Sequence, residues 1–449
     1  MLKRCITILL AVAMLLSVCA MAGCGKNSDN GDKPVLNQIS NEAEEEYFLD
    51  MPAELRGTTV KFATWIDHAK TDTAVALSGF EETTGMKYEL VQVSEREYPV
   101  KMAALISAEQ SPDVVVENGA FPRSVNLLQP LSLETNGLDA TDPFWDQRTS
   151  EFYRLGDKYY LVNGAKSSWL MAGTITYYHR TLLEENGLKT PSDYIDENNW
   201  NLDTFWTLLT QIKSTCNLSG AGAHIDFETW LSLFGGGQVR WNQETDKFEN
   251  TLESTETKTA IDWLMRAKDA GLVKIIANHD DSITTAGAAI QVAGCYGLRK
   301  SPGWFYTMDV DDLGFAYLPK VNADDADYTF TNSCRAYGIC KGAKNAKGAA
   351  YFLRYFLNEA HYDMDNMFKT EEAKKLYLEL REKGDMNRQS LAICVTRVLD
   401  PDVTANELCK ELIDGTSAQV AVNLAKCSSK LNSGVVAANK IIEEFIAAQ

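Results

Sequence analysis

The sequence predicts an α/β fold, because segments typical of strands alternate with segments typical of helices through most of the chain. β-branched and aromatic residues fill 58–65, which indicates a strand, and 73–84 has helical character and ends at a glycine. Two more strands are indicated at 88–93 and 114–116, with a helix at 98–109 between them. The run at 114–116 is apolar throughout, as in strands buried on both faces, so we predict a mostly parallel sheet.

The remainder of the chain continues this alternation. We predict strands at 174–178, 314–318 and 336–340, and helices at 182–188, 202–215, 258–270 and 348–357. Asn201 is expected to cap the helix that follows it. From residue 374 onward the sequence is typical of helices, with breaks near Gly384, Pro401 and Gly434. The chain beyond residue 54 is too long for one hydrophobic core, so two domains are expected.

The first 23 residues have the pattern of a secretory signal peptide. Two basic residues precede an apolar run at 6–18, which is shorter than the ~20 residues that a stable membrane span needs. Small residues then precede Cys24, and this arrangement resembles lipoprotein signals, in which the cysteine becomes the lipidated N-terminus after cleavage. Met21 stands where that pattern prefers leucine, and the alternative is an uncleaved helix that tethers the protein. We predict a signal peptide at 1–23 and a palmitate-type lipid anchor on Cys24.

Residues 24–54 are predicted to form the lipid attachment site and a flexible stalk. The stretch 25–41 is polar and rich in turn-forming residues, and 42–46 is dominated by acidic side chains. Such a segment cannot bury enough apolar surface to offset the entropy lost on ordering. We therefore expect the folded body to begin near Leu55.

The charge balance excludes one class of partner. The chain has 43 basic and 62 acidic residues, which gives a net charge of −19. A phosphate backbone is repelled by that excess of negative charge, so nucleic acid is not expected to bind. The hydrophobic share of 45% and the absence of a second long apolar run indicate a globular body.

The chain has ten cysteines, of which Cys5, Cys19 and Cys24 belong to the signal and the lipid site. The other seven are widely scattered: Cys216, Cys295, Cys334, Cys340, Cys394, Cys409 and Cys427. An odd number without regular spacing is not a disulfide framework, and no spacing fits a zinc site. We favour free, buried thiols. The alternative is one disulfide, either Cys334 with Cys340 or Cys394 with Cys409.

Four stretches, taken in order, resemble the family 1 extracellular solute-binding proteins, which are the maltose-binding-protein-like carbohydrate receptors of ABC importers. The stretches are 102–115, 177–200, 286–294 and 338–357. The resemblance implies a type II periplasmic-binding-protein-like fold of two α/β lobes, each a mostly parallel sheet flanked by helices. It places residues 55–170 and 336–385 in lobe 1, and residues 171–335 and 386–449 in lobe 2.

The same resemblance implies a hinge between the lobes. The chain is expected to cross near 165–173, near 335–341 and around 380–388. Glycines near two of these crossings are consistent with hinge positions, although ordinary turn glycines explain them equally well. Closure of the lobes desolvates the ligand, and the closed form is the state that a membrane partner recognises.

A sugar site needs flat apolar faces for the rings and polar groups for the hydroxyls. The chain has nine Trp and 18 Tyr, so candidates are numerous. By position in the resemblance, the ligand-binding residues are Trp65, Asp67, Glu117, Asn118, Trp169, Trp230 and Tyr296. Two of these have an alternative: Trp230 as core, and Glu117 as a solvated loop carboxylate. Weaker candidates are Trp304 and Tyr337, and Arg335 is expected either near the ligand or paired with an acid.

One departure from the family concerns the loop after Val116. This chain has Glu117-Asn118-Gly119 where a family receptor has an aromatic residue. The polar groups favour hydroxyl hydrogen bonds over stacking, or a ligand that carries an amine.

The resulting prediction is a membrane-tethered, extracytoplasmic receptor that captures an oligosaccharide and delivers it to an ABC permease. We expect a monomer. We also expect no cofactor, metal or catalytic residues, because the sequence has no nucleophile elbow, phosphate loop or metal-ligand spacing. A receptor of the same fold for a non-sugar solute is one alternative. A secreted carbohydrate-active enzyme is another, because carboxylates are abundant.

Overall fold

The computed structural model describes residues 47–68, 73–94, 97–117, 121–167, 173–242, 244–276, 282–285, 287–300, 305, 308–330, 335–384 and 409–448. The predicted signal peptide and Cys24 lie outside these ranges. So do Asn118, Trp169 and Trp304.

The strands of the described residues are β1 (Thr59–Thr64), β2 (Lys87–Gln92), β3 (Val114–Val116), β4 (Arg154–Leu155), β5 (Lys158–Tyr159), β6 (Thr174–His179), β7 (Ala223–Asp226), β8 (Val239–Asn242), β9 (Lys247–Asn250), β10 (Val273–Ile276), β11 (Ile290–Gly294), β12 (Leu313–Ala316) and β13 (Tyr337–Ile339).

The helices are α1 (Thr73–Thr84), α2 (Tyr98–Ser107), α3 (Gln147–Phe152), α4 (Arg180–Glu185), α5 (Pro191–Asp196), α6 (Leu202–Thr215), α7 (Phe227–Leu233), α8 (Thr255–Asp269), α9 (Ala346–Phe356), α10 (Met364–Met367), α11 (Glu371–Lys383), α12 (Lys410–Asp414) and α13 (Val420–Ala447). Short 3-10 turns include Ala53–Leu55 and Cys295–Leu298.

The first sheet has the strand order β13-β3-β1-β2. β1 pairs in parallel with both β2 and β3, and β13 pairs antiparallel with β3. Helices α1 and α9 cover it, and Phe352 and Phe356 of α9 lie with ring centroids 5.5 and 5.3 Å from Phe62 of β1. The buried Val114–Val116 run therefore occupies the interior strand position that its apolar character predicted.

The second sheet has the strand order β10-β7-β11-β6-β12. β7 pairs in parallel with β10 and β11, whereas β6 pairs antiparallel with β11 and β12. Only β6 runs opposite to its neighbours, and the other four strands run in one direction, so this sheet is mostly parallel with one reversed strand. The α/β class with two separate sheets agrees with the predicted fold.

Two segments that cross between the sheets lie side by side. Val162 and Tyr337 exchange backbone hydrogen bonds of 2.9 and 2.8 Å, and the Asn163 amide donates to the Arg335 carbonyl at 2.7 Å. A Cβ at Gly338 would lie 2.8 Å from the Tyr160 carbonyl oxygen, so glycine is required here by close packing. These glycine and backbone contacts join the two crossings into one unit.

The folded body begins earlier than the sequence indicated. Phe48 and Met51 are buried, and Tyr47 lies with its ring 4.9 Å from that of Tyr351 in α9. The Arg354 guanidinium stacks over Tyr47 at 4.2 Å. The prediction that folding begins near Leu55 is therefore wrong, because aromatic residues just after the acidic run find partners on α9.

The C-terminal part differs from expectation in two respects. Helix α13 runs unbroken through Gly434, which lies on its buried face, so the predicted break there is wrong. Helix α11 packs against β12 of the second sheet, while the Arg381 guanidinium donates to the Lys166 carbonyl and Arg148 donates to the Arg381 carbonyl. Helix α11, which was expected in lobe 1, therefore contacts both parts of the molecule, and the predicted boundary at residue 385 lies outside the described residues.

The cysteines within the described residues agree with the favoured prediction of free thiols. Cys216, Cys295, Cys340, Cys409 and Cys427 are all buried and unbridged. A search of the same residues for clusters of three or more potential metal ligands finds none. None of the helices described has the length and apolar character that crossing a membrane requires.

Candidate functional site

Two of the predicted site residues follow neighbouring strands of the first sheet. Trp65 comes directly after β1, and Glu117 comes directly after β3. Because β1 and β3 are parallel, both residues emerge at the same edge, and ligands in open α/β sheets bind outside the carboxyl ends of the strands. This edge is the candidate site.

Tyr98, the first residue of α2, positions both strand ends. Its hydroxyl donates to the Ala63 carbonyl at 2.9 Å and accepts from the Val116 N–H at 3.0 Å. Its ring meets the Trp65 ring edge-on, with centroids 5.0 Å apart. Burial raises the pKa of Tyr98, so the phenol stays neutral and keeps both hydrogen bonds.

His68 fixes the loop that carries Trp65 and Asp67. Its imidazole lies 3.3 Å from the Thr64 hydroxyl through Nε2 and 2.9 Å from the Thr73 hydroxyl through Nδ1, and it stacks on Phe62. Burial lowers the pKa of His68 to about 3, with the Arg335 charge lowering it further and Asp67 opposing. The loop is therefore held by a neutral imidazole.

Glu117 is largely buried, which argues against a solvated loop carboxylate. Its side chain is 9% exposed, and Oε1 accepts a hydrogen bond of 3.1 Å from the Phe121 N–H. Its own N–H donates to the Ala336 carbonyl at 2.7 Å. Glu117 thus connects the end of β3 to Phe121 and to the crossing segment that leads into β13.

Arg335 links the two lobes at this edge. Its guanidinium lies over the Trp65 ring at 5.2 Å, and Nη2 donates to the Tyr296 hydroxyl at 3.4 Å. Trp65 belongs to the first sheet, Arg335 to a crossing segment, and Tyr296 to the turn after β11 of the second sheet. The sequence placed Arg335 near the crossing, but it did not show that Trp65 and Tyr296 contact it.

Tyr177, on strand β6 of the second sheet, positions the turn that carries Tyr296. Its hydroxyl donates to the Gly294 carbonyl at 2.7 Å and accepts from the Gly297 N–H at 3.0 Å. Burial raises the pKa of Tyr177 well above its ordinary value. Tyr98 and Tyr177 thus serve matching purposes in the two lobes, and the sequence contains no local signal for either.

The structure places two candidates in the core. Trp230 is completely buried, with its ring centroid 4.5 Å from that of Trp263 and 6.0 Å from that of Phe205. The core alternative for Trp230 therefore replaces its assignment to the ligand. Tyr337 is 1% exposed and its ring lies beside those of Phe62 and Phe356.

A groove of about 790 Å³ opens nearby, between the end of β2 and helix α2. It is lined by residues from Gln92 to Ala104, all of the first lobe. Trp65, Glu117 and Tyr296 do not line it, so the groove is separate from the edge where the two lobes meet.

Residues 76–367 match the profile of the bacterial extracellular solute-binding proteins. This chain belongs to that family. The match covers strands of both sheets and all the crossings up to β13, so it includes Arg335 and Tyr296 at the candidate site. No curated protein matches the sequence significantly.

Solved structures that share the fold of this solute-binding protein include a receptor and two sugar-binding proteins. The GacH receptor of Streptomyces glaucescens GLA.O, solved unliganded and with acarbose, is 17% identical, with 84% of this chain and 98% of that chain covered and a TM-score of 0.59. The cyclic alpha-maltosyl-1,6-maltose binding protein of Arthrobacter globiformis is 14% identical, with 84% and 99% covered and a TM-score of 0.64.

A third neighbour is the galacto-N-biose-/lacto-N-biose I-binding protein of the ABC transporter from Bifidobacterium longum. It is 12% identical, with 85% of this chain and 98% of that chain covered and a TM-score of 0.63. At these identities the likeness establishes the fold, and the three proteins named are binding proteins.

Proposed function

We propose that this solute-binding protein captures an oligosaccharide between its lobes by hinge closure. The observation that carries the proposal is the contact of Trp65, Arg335 and Tyr296, which come from lobe 1, a crossing segment and lobe 2. An indole ring, a guanidinium and a phenol at one edge combine an apolar face with hydrogen-bond donors and acceptors.

The geometry suits a sugar ligand physically. A pyranose ring offers an apolar face that packs on an indole and hydroxyls that accept from a guanidinium or exchange hydrogen bonds with a phenol. The indole edge meets Tyr98, and Arg335 covers the ring from above, so a bound sugar displaces or extends the Arg335 contact. Asp67, Glu117, Asn118 and Trp169 are proposed to complete the site, and Trp230 is not.

The neighbours support the ligand class. The GacH receptor was solved with acarbose, and the Bifidobacterium longum receptor with lacto-N-biose. The latter is described as the binding protein of an ABC transporter. Delivery to ABC permease subunits, attachment to the membrane through a lipid on Cys24, and the monomeric state are part of the same proposal. The family description places its members outside the cell.

A ligand screen tests the proposal. The protein without its signal peptide is heated with neutral oligosaccharides of two to six units, and with peptides and amines as a second panel. We expect stabilisation by at least one oligosaccharide, since binding to the folded state raises the melting temperature. Stabilisation by a peptide or an amine alone would instead support a receptor for a non-sugar solute. Release of shorter glycans during incubation would support an enzyme.

A further inference from the structure

Two cysteines that are distant in sequence meet in the second lobe. Cys409 directly precedes α12, and Cys427 lies near the start of α13. Both side chains are fully buried and neither is in a disulfide. The elements that carry them pack against each other, and each cysteine is the group that most strongly shifts the pKa of the other, so the two thiols face each other.

The packing of α12 on α13 holds this pair in place. The Leu412 N–H, in the first turn of α12, lies 2.9 Å from the Cys409 carbonyl and is also hydrogen-bonded to the Cys427 sulfur. The Cys409 thiol donates to Gln238 Oε1 at 3.1 Å, and Gln238 Nε2 donates to Glu228 at 3.1 Å. Both sulfur atoms are therefore located by groups from separate elements.

The surroundings differentiate the two thiols chemically. The neighbouring Cys409 thiol lowers the pKa of Cys427 to about 7, with the Leu412 N–H and the Lys430 charge assisting against burial. The neighbouring Cys427 and burial raise the pKa of Cys409. Since the thiolate is the reactive form, Cys427 is the nucleophile and Cys409 the resolving thiol.

We propose that Cys409 and Cys427 are a redox-active pair that forms an intramolecular disulfide when the protein meets a disulfide oxidant outside the cytoplasm. The Cys427 thiolate attacks the oxidant R–S–S–R, breaks its S–S bond and releases one R–S⁻. Cys409 then loses its proton and attacks the Cys427 sulfur of the mixed disulfide, which releases the second R–S⁻. Two electrons pass to the oxidant, and the two leaving thiolates accept the protons.

The disulfide would close a covalent ring over residues 409–427 and join the start of α12 to α13. Cross-linking reduces the conformational freedom of the unfolded chain and so stabilises the folded state. Because both thiols are buried, the folded protein should react slowly and mainly through local opening. The refolding chain should react faster.

The test uses the full chain without its signal peptide, unfolded in urea and refolded with a mixture of reduced and oxidised glutathione. Free thiols are then alkylated and peptides are mapped by mass spectrometry. We expect a cross-linked peptide that joins Cys409 to Cys427, a loss of two alkylatable thiols, and a melting temperature roughly 3–6 °C above that of the reduced protein.

Two variants make the outcome specific. Cys427→Ser should keep all its remaining thiols and show no difference in melting temperature between the two conditions, whereas Cys216→Ser, which removes a buried thiol elsewhere, should still form the cross-link. If Cys427→Ser does not fold, Cys427→Ala serves instead, and peptide mapping of the unmodified chain needs neither. A cross-link between Cys394 and Cys409, or glutathione on both sulfurs without a cross-link, would overturn the proposal.

Discussion

Trp65 is half-buried and has different neighbours on each side, because Tyr98 meets its ring edge-on while Arg335 lies over the ring. A guanidinium over an indole is attracted to the ring quadrupole. In the proposed function, Trp65 therefore combines ligand contact with a link to the crossing segment.

The first prediction concerns Trp65→Ala. The substitution removes the proposed stacking surface and should weaken oligosaccharide affinity about tenfold or more, while the protein still folds. Isothermal titration calorimetry measures the affinity, and circular dichroism checks the fold. Trp206→Ala is the matched control, because Trp206 is also half-buried but packs edge-on against Trp263 of the second lobe. Equal affinities for Trp65→Ala and the unmodified protein would remove Trp65 from the site.

His68 makes stability depend on pH, with a sign that follows from its lowered pKa. The imidazole is neutral in the folded protein, with a pKa of about 3, and has the ordinary value of 6.5 when unfolded. Between these values the unfolded chain binds a proton that the folded protein excludes. The stability is thus fully present above pH 6.5 and is lost as the pH falls toward 3.

The second prediction is measured by urea unfolding between pH 7.5 and pH 5. At pH values well below 6.5 but above the folded-state pKa, each such histidine makes the free energy of unfolding fall by about 1.4 kcal/mol per pH unit. His361 is a second case, since burial lowers its pKa to about 4. His68→Gln should reduce this pH dependence of the unfolding free energy by the contribution of one proton. The double variant His68→Gln/His361→Gln should reduce it by the contribution of two. A slope in His68→Gln equal to that of the unmodified protein would contradict the assigned origin.

At the scale of elements, sequence patterns predicted best where local chemistry is sufficient. Helices α1 and α6 were predicted with their observed bounds, and the Asn201 cap is present with hydrogen bonds to Asp203 and Thr204. Strands β7 and β10 were not predicted, because each has only four residues and pairs with strands distant in sequence. The β8–β9 hairpin, made of two four-residue strands, was not predicted either. Gly434 was taken for a break, although its buried position lets α13 continue.

In the candidate site, too, features set by local sequence could be predicted, and features set by distant contacts could not. Trp65 and Glu117, chosen by their position in the family resemblance, follow parallel neighbouring strands, and such strands end at one edge of a sheet. Tyr98, Tyr177 and His68 were not identified, because their hydrogen bonds join loops that become neighbours only after both sheets form. The core position of Trp230 depends on the packing of three helices, which its sequence neighbours do not specify.

The third prediction belongs to the crossing segments. Gly338→Ala places a methyl group 2.8 Å from both the Tyr160 carbonyl oxygen and a Leu161 methyl carbon, and should lower stability by about 1–3 kcal/mol. Gly237→Ala is the control, because its nearest atom would lie at an ordinary 3.7 Å. Urea unfolding gives the free energy of unfolding of both variants. Equal values would show that the backbone around Gly338 shifts to accommodate the methyl group without loss of stability.

At the scale of the whole molecule, the proposed function requires the two lobes to approach each other when ligand binds. The Arg335 to Tyr296 hydrogen bond is long at 3.4 Å, so it contributes little resistance to lobe movement. Closure removes ligand surface from water, and a ligand that contacts both lobes favours the closed form by its differential affinity.

The fourth prediction is that a stabilising oligosaccharide reduces the radius of gyration measured by small-angle X-ray scattering. Contact with both lobes favours the more compact form. The Trp65→Ala variant at the same ligand concentration should contract less, because fewer molecules carry ligand. An unchanged radius for the saturated, unmodified protein would argue against hinge closure, even if binding itself were confirmed.

The paired backbone bonds between Val162 and Tyr337 have a mechanical consequence. These bonds couple the backbone rotations of the two crossing segments, so we expect the lobes to rotate about one shared hinge axis. Arg335 lies two residues from Tyr337, close to this hinge axis, and should move little on closure. Residues far from the axis should move the most. Residues near the hinge axis would then determine which sugar ring binds beside Arg335. Residues far from the axis would determine how long an oligosaccharide the cleft accepts.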